Sequence, residues 1–209
     1  MASSKKVTLY FVRHGETQFN VEKRMQGFCD SPLTDNGISQ AKAVGKGLSG
    51  IDFTAAYASE SQRVIDTANY AIGHRSIPLT TDARLKEMNF GLLESLLGDE
   101  IQAKYGNILE ELFTMKDLHL SAPEGETYVQ LFQRTSSAVE EIVKRHQAEG
   151  GNILVFSHGV TIGNYMMQLT NSPTFPHHQN CGVSIVSYHD GQVTVEAIAD
   201  MSYRNSGLE

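Results

Sequence analysis

The chain has 209 residues, of which 40% are hydrophobic and 20% are charged, and its formal net charge at pH 7 is −7. This length and composition are typical of a globular protein, and we expect one domain over residues 1–209 with a substantial core. The negative charge argues against a nucleic acid or an anionic membrane surface as a partner, because like charges repel.

The cysteine content and the N-terminus predict a cytoplasmic protein. Cys29 and Cys181 are the two cysteines, and such a low number indicates free thiols rather than a disulfide framework. The apolar run that follows Lys5 and Lys6 is too short for a signal peptide, and no later run is long enough to span a membrane.

The first predicted element is a buried strand over Val7–Val12, an apolar and aromatic run that ends at the letters "RHG". A helix follows, for which Thr34 is the predicted N-cap. Leu33 and Ile38 have the spacing of a hydrophobic staple around that cap, which supports a helix start at this point.

A second strand and helix are predicted in the stretch "FTAAYASESQRVIDTANYAI". Ser59 and Gln62 have the spacing of a capping box, so we expect the helix to begin at about residue 60. Arg63 would then lie in the first turn of this helix, near the end of the preceding strand.

Further strands and helices are predicted in the C-terminal half. Ile153–Phe156 is a second buried strand, and the letters "SHG" follow it. Asp190 and Gly191 are the predicted turn of a later hairpin. Residues 92–123 are expected to be a helical cap insertion. A long amphipathic helix is predicted between this segment and the strand Ile153–Phe156. The predicted inward face of that helix consists of Val129, Phe132, Val139, Ile142 and Val143.

Strands that alternate with helices predict an α/β domain of three layers, with a mostly parallel central sheet flanked by helices. Ligands of such sheets bind beyond the carboxyl ends of the strands. The "RHG" and "SHG" segments both follow predicted strands, so we expect them to lie at the same edge of the sheet.

The polar residues at these strand ends indicate a phosphate site. Arg13, His14, Arg63 and His158 would repel one another unless an anion lay between them, and arginine binds phosphate oxygens through its planar guanidinium. A neutral His14 can attack phosphorus if its second ring nitrogen is held by an acceptor such as a backbone carbonyl.

The leaving alkoxide of such a reaction needs a proton, which a carboxylic acid can supply. Glu87 in "RLKEMNFG" is the first candidate, and it could later activate the water that hydrolyses a phosphohistidine. Glu94, Glu124 and Glu126 are the alternatives that the sequence leaves open.

At this point the chain resembles the histidine phosphatase superfamily, the phosphoglycerate mutase-like group. The resemblance rests on motifs that occur in the family's order over residues 7–163. These motifs are "RHGET" with "RMQGFCDSPLTDNGISQA", "SESQRVIDTA", "LKEMNFGLLES", "PEGETYVQLFQR" and "VFSHGV". One departure is visible, because the family often has "GxWEG" where this chain has "GLLES".

The resemblance implies roles for individual residues and a fold without a metal or another cofactor. His14 would be the phosphorylated nucleophile, and Glu87 would donate and accept the proton. A larger set would bind the phosphate or line its pocket: Arg13, Asn20, Gln26, Arg63, His158 and Gly159.

Three functions remain open at this level. A phosphatase that hydrolyses small phosphate monoesters through a phosphohistidine is favoured over a cofactor-dependent phosphoglycerate mutase. The reason is that a mutase must also bind a carboxylate and a second phosphate, whereas Lys104 and Lys116 are the only basic residues between Glu87 and Arg134. A non-catalytic module that binds a phosphorylated ligand is the third alternative.

The expected partner is a small phosphorylated molecule, and a homodimer is one of the oligomeric states that the sequence leaves open. The adjacent His177 and His178 lie in a loop after Pro176, and we expect a solvated pair rather than a metal site, because no other ligand has a suitable spacing.

Overall fold

The computed structural model describes residues 4–208, and within this range a six-stranded sheet forms the centre of the molecule. Its strands are β1 (Val7–Arg13), β2 (Phe53–Ala58), β3 (Leu79–Thr81), β4 (Gly151–Ser157), β5 (Val183–His189) and β6 (Gln192–Asp200). They lie in the order β3-β2-β4-β1-β5-β6, and the first four are mutually parallel. The remaining β1–β5 and β5–β6 pairs are antiparallel. The prediction of a mostly parallel sheet is therefore confirmed.

Helices cover both faces of the sheet. They are α1 (Gln18–Glu22), α2 (Asp35–Gly47), α3 (Gln62–Ile72), α4 (Gly98–Tyr105), α5 (Ile108–Phe113), α6 (Tyr128–His146), α7 (Gly159–Thr170) and α8 (Ser202–Leu208). Short 3₁₀ turns occupy Ala83–Leu85 and Gly91–Leu93. None of the helices within residues 4–208 is long and apolar enough to cross a membrane.

Strand β1 is mainly apolar because it is buried on both sides. Leu9 and Phe11 pack on one side with residues of α6 and α7. Val12 packs on the other side with residues of α2 and α3. Alternate side chains of a strand point to opposite faces, so this central strand contributes to both cores and shows no polar alternation.

The two predicted helix starts had different outcomes. Thr34 is the N-cap of α2, and its hydroxyl accepts a hydrogen bond from the Gly37 amide. The predicted capping box of Ser59 and Gln62 is wrong, because α3 begins at Gln62 with Ser61 at its N-cap. Asp30, 32 residues earlier in the chain, instead accepts the Gln62 amide at 2.6 Å, so a distant carboxylate replaces the local cap.

The predicted inward face of α6 is correct for Val139 and Ile142, which are fully buried. At the start of the helix the buried residues are Tyr128 and Leu131, whereas the predicted Val129 is half-buried. Tyr128 and Leu131 pack into a third apolar cluster with residues from segment 88–122, not against the sheet. The first turn of α6 therefore packs against segment 88–122, whereas the later turns pack against the sheet.

Segment 92–123 contains α4 and α5, which contribute Ile101 and Leu112 to this third cluster. Its role as a cap insertion in a single domain stays a prediction. The predicted hairpin turn is present, and Asp190 and Gly191 both have positive φ, at 47° and 77°. Such angles are typical of the tight turn that joins two antiparallel strands. Both cysteines are free thiols, as predicted.

Candidate active site

A cavity of about 650 Å³ lies where β1 and β4 end. The carboxyl ends of these two strands meet at one edge because the strands are parallel and in register, with Arg13 opposite Ser157. Of the predicted site residues, the structure places six in the cavity wall: Arg13, His14, Asn20, Gln26, Glu87 and Gly159.

His14 follows β1 directly and is almost completely buried. Its Nδ1 atom lies 2.8 Å from the Gly15 carbonyl oxygen, which can only accept, so Nδ1 carries the proton. The Nε2 atom consequently keeps its lone pair. Burial lowers the pKa of His14 well below the ordinary histidine value, and the nearby cations Arg63 and Arg13 lower it further. The ring is therefore a neutral imidazole at pH 7.

Arg13 is the last residue of β1, and one of its terminal nitrogens donates to the His178 carbonyl oxygen. Its Nε atom is buried and has no hydrogen-bond partner among residues 4–208. Gly159 allows this side chain to pass closely, since a Cβ atom there would lie 3.2 Å from the Arg13 Nε atom. Arg13 thus lies in the cavity wall, with its Nε atom beside Gly159.

Arg63 lies in the first turn of α3, as predicted, and its side chain is completely buried. Its terminal nitrogens donate to the Gly27 and Cys29 carbonyl oxygens at 2.8 and 2.9 Å, and to Asp30 Oδ1 at 2.8 Å. The loop before α2 therefore fixes the guanidinium on several sides. The Nε atom of Arg63 has no partner within the described residues.

His158 is the N-cap residue of α7, and both of its ring nitrogens have protein partners. Nδ1 accepts from Arg63 Nη2 at 3.0 Å, because a guanidinium cannot accept, so Nε2 is the donor to the Ser59 hydroxyl at 2.8 Å. The His158 ring lies edge-on to the His14 ring, with 5.4 Å between the centroids. Burial, and next the Arg63 charge, lower the pKa of His158 well below its ordinary value.

Neither Arg63 nor His158 belongs to the residues that line the cavity. They contact one another, and the His158 ring contacts the His14 ring. Direct binding of a phosphate by these two residues stays a prediction.

Glu87 is buried and lies against the N-terminus of α7. Its Oε1 atom accepts from the Met88 amide at 2.9 Å and from the amide and hydroxyl of Thr161 at 3.0 and 2.9 Å. Its Oε2 atom accepts from the Val160 amide at 3.1 Å. These donors hold the carboxylate in one orientation in the wall of the same cavity as His14.

Two of the alternative carboxylates are engaged elsewhere. Glu94 accepts from the backbone amides of Phe28, Cys29 and Phe90, so it supports the loop around Arg63. Glu126 forms an ion pair with Arg134. Neither residue lines the cavity, and the geometry favours Glu87 as the acid.

Asn20 and Gln26 both lie in the cavity wall as the motif match implied. Asn20 Oδ1 accepts from the side-chain amide of Asn180 at 3.2 Å. The Gln26 side chain accepts from the Thr17 hydroxyl at 2.9 Å. These contacts fix the floor of the cavity between α1 and the loop before β5.

The expectation of a solvated His177–His178 pair is wrong for His178, which is buried. His178 Nε2 lies 2.6 Å from the Ser184 hydroxyl, and burial lowers the pKa of the imidazole to about 4. His177 lines the cavity. Within residues 4–208 no group of three or more His, Cys, Asp or Glu side chains is placed to hold a metal ion.

Several residues that shape the site were missed at the level of sequence. Asp30 and Ser59 hold Arg63 and His158, and Thr161 holds Glu87. Thr161 lies three residues after His158, in the first turn of α7, and its position close to the "SHG" segment is the signal that could have found it. Asp30 and Ser59 lie in loops, where spacing carries no signal for a partner that is distant in sequence.

The sequence model of the histidine phosphatase superfamily, branch 1, matches residues 9–201. The chain therefore belongs to the histidine phosphatase superfamily, and it is an enzyme that acts on phosphate esters. The resemblance noted in the sequence is confirmed.

Particular relatives are found in several bacteria. Probable phosphoglycerate mutase GpmB of Escherichia fergusonii is 32% identical over 205 residues, which are 93% of this chain and 94% of that protein. The solved structure of YhfR from Bacillus stearothermophilus has a TM-score of 0.88 at 36% identity, covering 95% of this chain and 99% of its own. A phosphoglycerate mutase structure from Bacillus anthracis has a TM-score of 0.91 at 33% identity and covers 99% of both chains.

Proposed function

We propose that this enzyme hydrolyses small phosphate monoesters through a phosphohistidine at His14, without a metal ion. The observation that carries the proposal is the hydrogen bond from His14 Nδ1 to the Gly15 carbonyl oxygen. This bond gives the neutral ring a free Nε2 lone pair, in a cavity that also contains the Glu87 carboxyl group.

In the first step, His14 Nε2 attacks phosphorus and the bond between phosphorus and the ester oxygen breaks. Protonated Glu87 gives its proton to the leaving oxygen, so an alcohol departs and a carboxylate remains. The Arg13 guanidinium, which lies in the cavity wall, stabilises the charge that develops on the phosphoryl oxygens.

In the second step, a water molecule attacks the phosphohistidine while the Glu87 carboxylate takes one of its protons. The phosphorus–nitrogen bond breaks, the electron pair returns to Nε2, and inorganic phosphate leaves. The enzyme is then back in its starting protonation state. Positioning and charge stabilisation supply the catalysis, as is usual for phosphoryl transfer.

The lining of the cavity supports hydrolysis of esters with apolar leaving groups. Its wall contains six apolar side chains, namely Phe19, Met25, Phe90, Phe113, Val160 and Phe175. These side chains provide contact area for an apolar alcohol.

Phosphoglycerate mutase is the second candidate, and two observations favour it. Lys23 and Arg24 line the cavity and could face a carboxylate or a second phosphate. The names of the relatives from Escherichia fergusonii and Bacillus anthracis also refer to this activity. Against it, the Arg24 guanidinium already donates to Glu22 and to the Ser95 carbonyl oxygen, at 2.7 and 2.8 Å.

A non-catalytic binding module, the third alternative, is disfavoured because the chain belongs to a superfamily of enzymes. Binding alone would not require a nucleophile with an assigned tautomer or a buried carboxyl group held by three backbone amides. The combination of His14 and Glu87 in one cavity therefore favours an enzyme.

One set of assays separates these candidates. The wild-type chain and His14→Ala are incubated with p-nitrophenyl phosphate in the presence of a chelator, and acid-labile ³²P on the protein is followed after rapid quenching. We expect turnover and a labelled histidine for the wild type only. Conversion of 3-phosphoglycerate to 2-phosphoglycerate with catalytic 2,3-bisphosphoglycerate would favour the mutase. Loss of turnover on chelation would contradict metal independence.

A further inference from the structure

The backbone on both sides of Glu87 is held by a partly buried ion pair between Glu126 and Arg134, in which both side chains are less than one-fifth exposed. Arg134 lies on α6, and Glu126 lies just before that helix. Arg134 Nε donates to Glu126 Oε2 at 3.0 Å, so the pair makes more than one contact. A guanidinium with several fixed partners is rigid, because its planar donors cannot turn independently.

The Arg134 guanidinium also binds the segment that carries Glu87. It donates to the carbonyl oxygens of Arg84, Lys86 and Glu87 itself, at 2.8, 2.7 and 2.7 Å. A single side chain thus fixes three of the four carbonyl groups between residues 84 and 87.

Glu126 holds the backbone on the C-terminal side of Glu87, at Asn89. Its side chain accepts from the Asn89 amide at 2.8 Å, and its own backbone amide donates to the Asn89 carbonyl oxygen at 2.9 Å. The ion pair therefore spans the backbone from residue 84 to residue 89, with Glu87 between its two attachment points.

We infer that Arg134, held by Glu126, is a positioning residue that keeps the Glu87 carboxyl group where it can protonate the leaving oxygen. This inference rests on the proposed function, in which Glu87 is the acid. Arg134 itself does not line the cavity, and its contact closest to the cavity wall is the one with the backbone of Glu87.

The role predicts a defect that depends on the leaving group. An acid is needed most when the leaving alkoxide is a strong base, and little when the leaving group is a stabilised phenolate. A misplaced Glu87 should therefore slow the first step for alkyl phosphates and spare that step for p-nitrophenyl phosphate. A change that only loosened the fold would affect both substrates equally.

The test compares kcat/KM for n-butyl phosphate and p-nitrophenyl phosphate in the full-length chain, because kcat/KM reports the steps up to release of the alcohol. For Arg134→Lys we expect a loss of about 10- to 100-fold with the butyl ester and less than about threefold with the nitrophenyl ester. Glu126→Gln should give a smaller loss of the same kind. Glu126→Gln therefore tests the positioning role independently if Arg134→Lys folds poorly.

Two reference variants make the result decisive. Arg145→Lys alters an exposed ion pair with Glu141 on the same helix and should change neither value. Glu87→Gln should show the same dependence on the leaving group, but more strongly. Equal losses for both esters in Arg134→Lys, or no loss, would overturn the positioning role of Arg134. The role of Glu87 as the acid would stand if Glu87→Gln still showed the dependence on the leaving group. If Glu87→Gln showed no dependence on the leaving group, both the role of Glu87 as the acid and the positioning role of Arg134 would be contradicted.

Discussion

Arg63 Nη2 donates to His158 Nδ1 at 3.0 Å, and this one contact assigns the tautomer of the second histidine of the site. Since the guanidinium can only donate, Nδ1 must be the acceptor and Nε2 must carry the proton. The arginine is itself fixed by Gly27, Cys29 and Asp30. The tautomer of His158, the neighbour of His14, therefore depends on three loop residues that do not line the cavity.

The first prediction concerns Arg63→Lys. A lysine ammonium cannot reach Asp30, two carbonyl groups and His158 at once, so His158 should lose its fixed tautomer and orientation. We expect kcat/KM for p-nitrophenyl phosphate to fall at least about 100-fold. The measurement is steady-state kinetics on purified variants with matched circular dichroism spectra.

Arg75→Lys is a suitable control for this substitution. Arg75 follows the other end of α3 and also donates to three backbone carbonyl groups, those of Leu48, Ala71 and Ile72. It does not line the cavity, so its replacement should leave kcat/KM close to the wild-type value. Wild-type activity in Arg63→Lys would contradict the assigned role.

The second prediction is a loss of stability in mild acid. His14, His158 and His178 have lowered pKa values in the folded chain, mainly because of burial. Below about pH 6.5 the unfolded chain binds protons at these positions and the folded chain does not, so acid favours unfolding. Each histidine should reduce the free energy of unfolding by up to about 1.4 kcal/mol per pH unit, continuing for His178 down to its pKa of about 4.

Urea titrations between pH 7 and pH 5 measure this slope. His178→Gln should reduce the slope, whereas His74→Gln, at an exposed position, should not change it. A free energy of unfolding that stays constant over this range would show that the buried imidazoles are not neutral.

The third prediction concerns the glycine next to the nucleophile. A Cβ atom on Gly15 would lie 2.5 Å from the Gly37 carbonyl oxygen, which belongs to the first turn of α2 and cannot move independently. We expect Gly15→Ala to lower the free energy of unfolding by about 1–3 kcal/mol and to displace the carbonyl group that holds His14 Nδ1.

Gly50→Ala is the matched substitution, because no atom lies within 4 Å of a Cβ atom at that position. Its effect should be neutral or stabilising by less than about 1 kcal/mol. Thermal and urea unfolding of both variants compare the two sites directly, and equal stability would argue against the close approach at Gly15.

The fourth prediction concerns substrate choice. Phe113, at the end of α5, lines the cavity, is 44% exposed and lies 6.1 Å from the Phe90 ring. Phe113→Ala should lower kcat/KM for 1-naphthyl phosphate about 5- to 20-fold, because aromatic contact area with the leaving group is lost. The value for glycerol phosphate should change by less than about twofold, since its small polar alcohol gains little from an aromatic ring.

Leu92→Ala provides the comparison, because Leu92 is similarly exposed in the same segment and does not line the cavity. The ratio of the two kcat/KM values should stay unchanged in this variant. If Phe113→Ala left the ratio unchanged as well, the aromatic wall would have no part in choosing the substrate.

Sequence reasoning worked best where a pattern is local. Thr34 was recognised as an N-cap because a hydroxyl group and the amide it accepts lie only three residues apart. The apolar run of β1 was recognised because both of its faces are buried. The Ser59–Gln62 capping box has the right spacing as well, yet the Ser59 hydroxyl binds His158, the N-cap residue of α7, instead.

The site shows the same difference between residues that a local motif identifies and contacts that form only between distant segments. His14 and Glu87 were chosen from motifs, and the parallel register of β1 and β4 brings the first strand end and the start of α7 together. That His178 is buried rather than solvated could not be predicted from the Pro-flanked loop. Its hydrogen bond to Ser184 forms only when the loop packs against β5.

The sequence by itself determined the alternation of strands and helices, the identity of the family and the residues able to carry a phosphoryl group, because apolar periodicity and short motifs depend on neighbours along the chain. The tertiary structure alone decided how the Arg63 guanidinium is fixed and how Arg134 holds the backbone of Glu87. These properties are set by hydrogen bonds between segments up to 95 residues apart, such as the one from Arg63 to His158. Contacts of that kind exist only after the chain has folded.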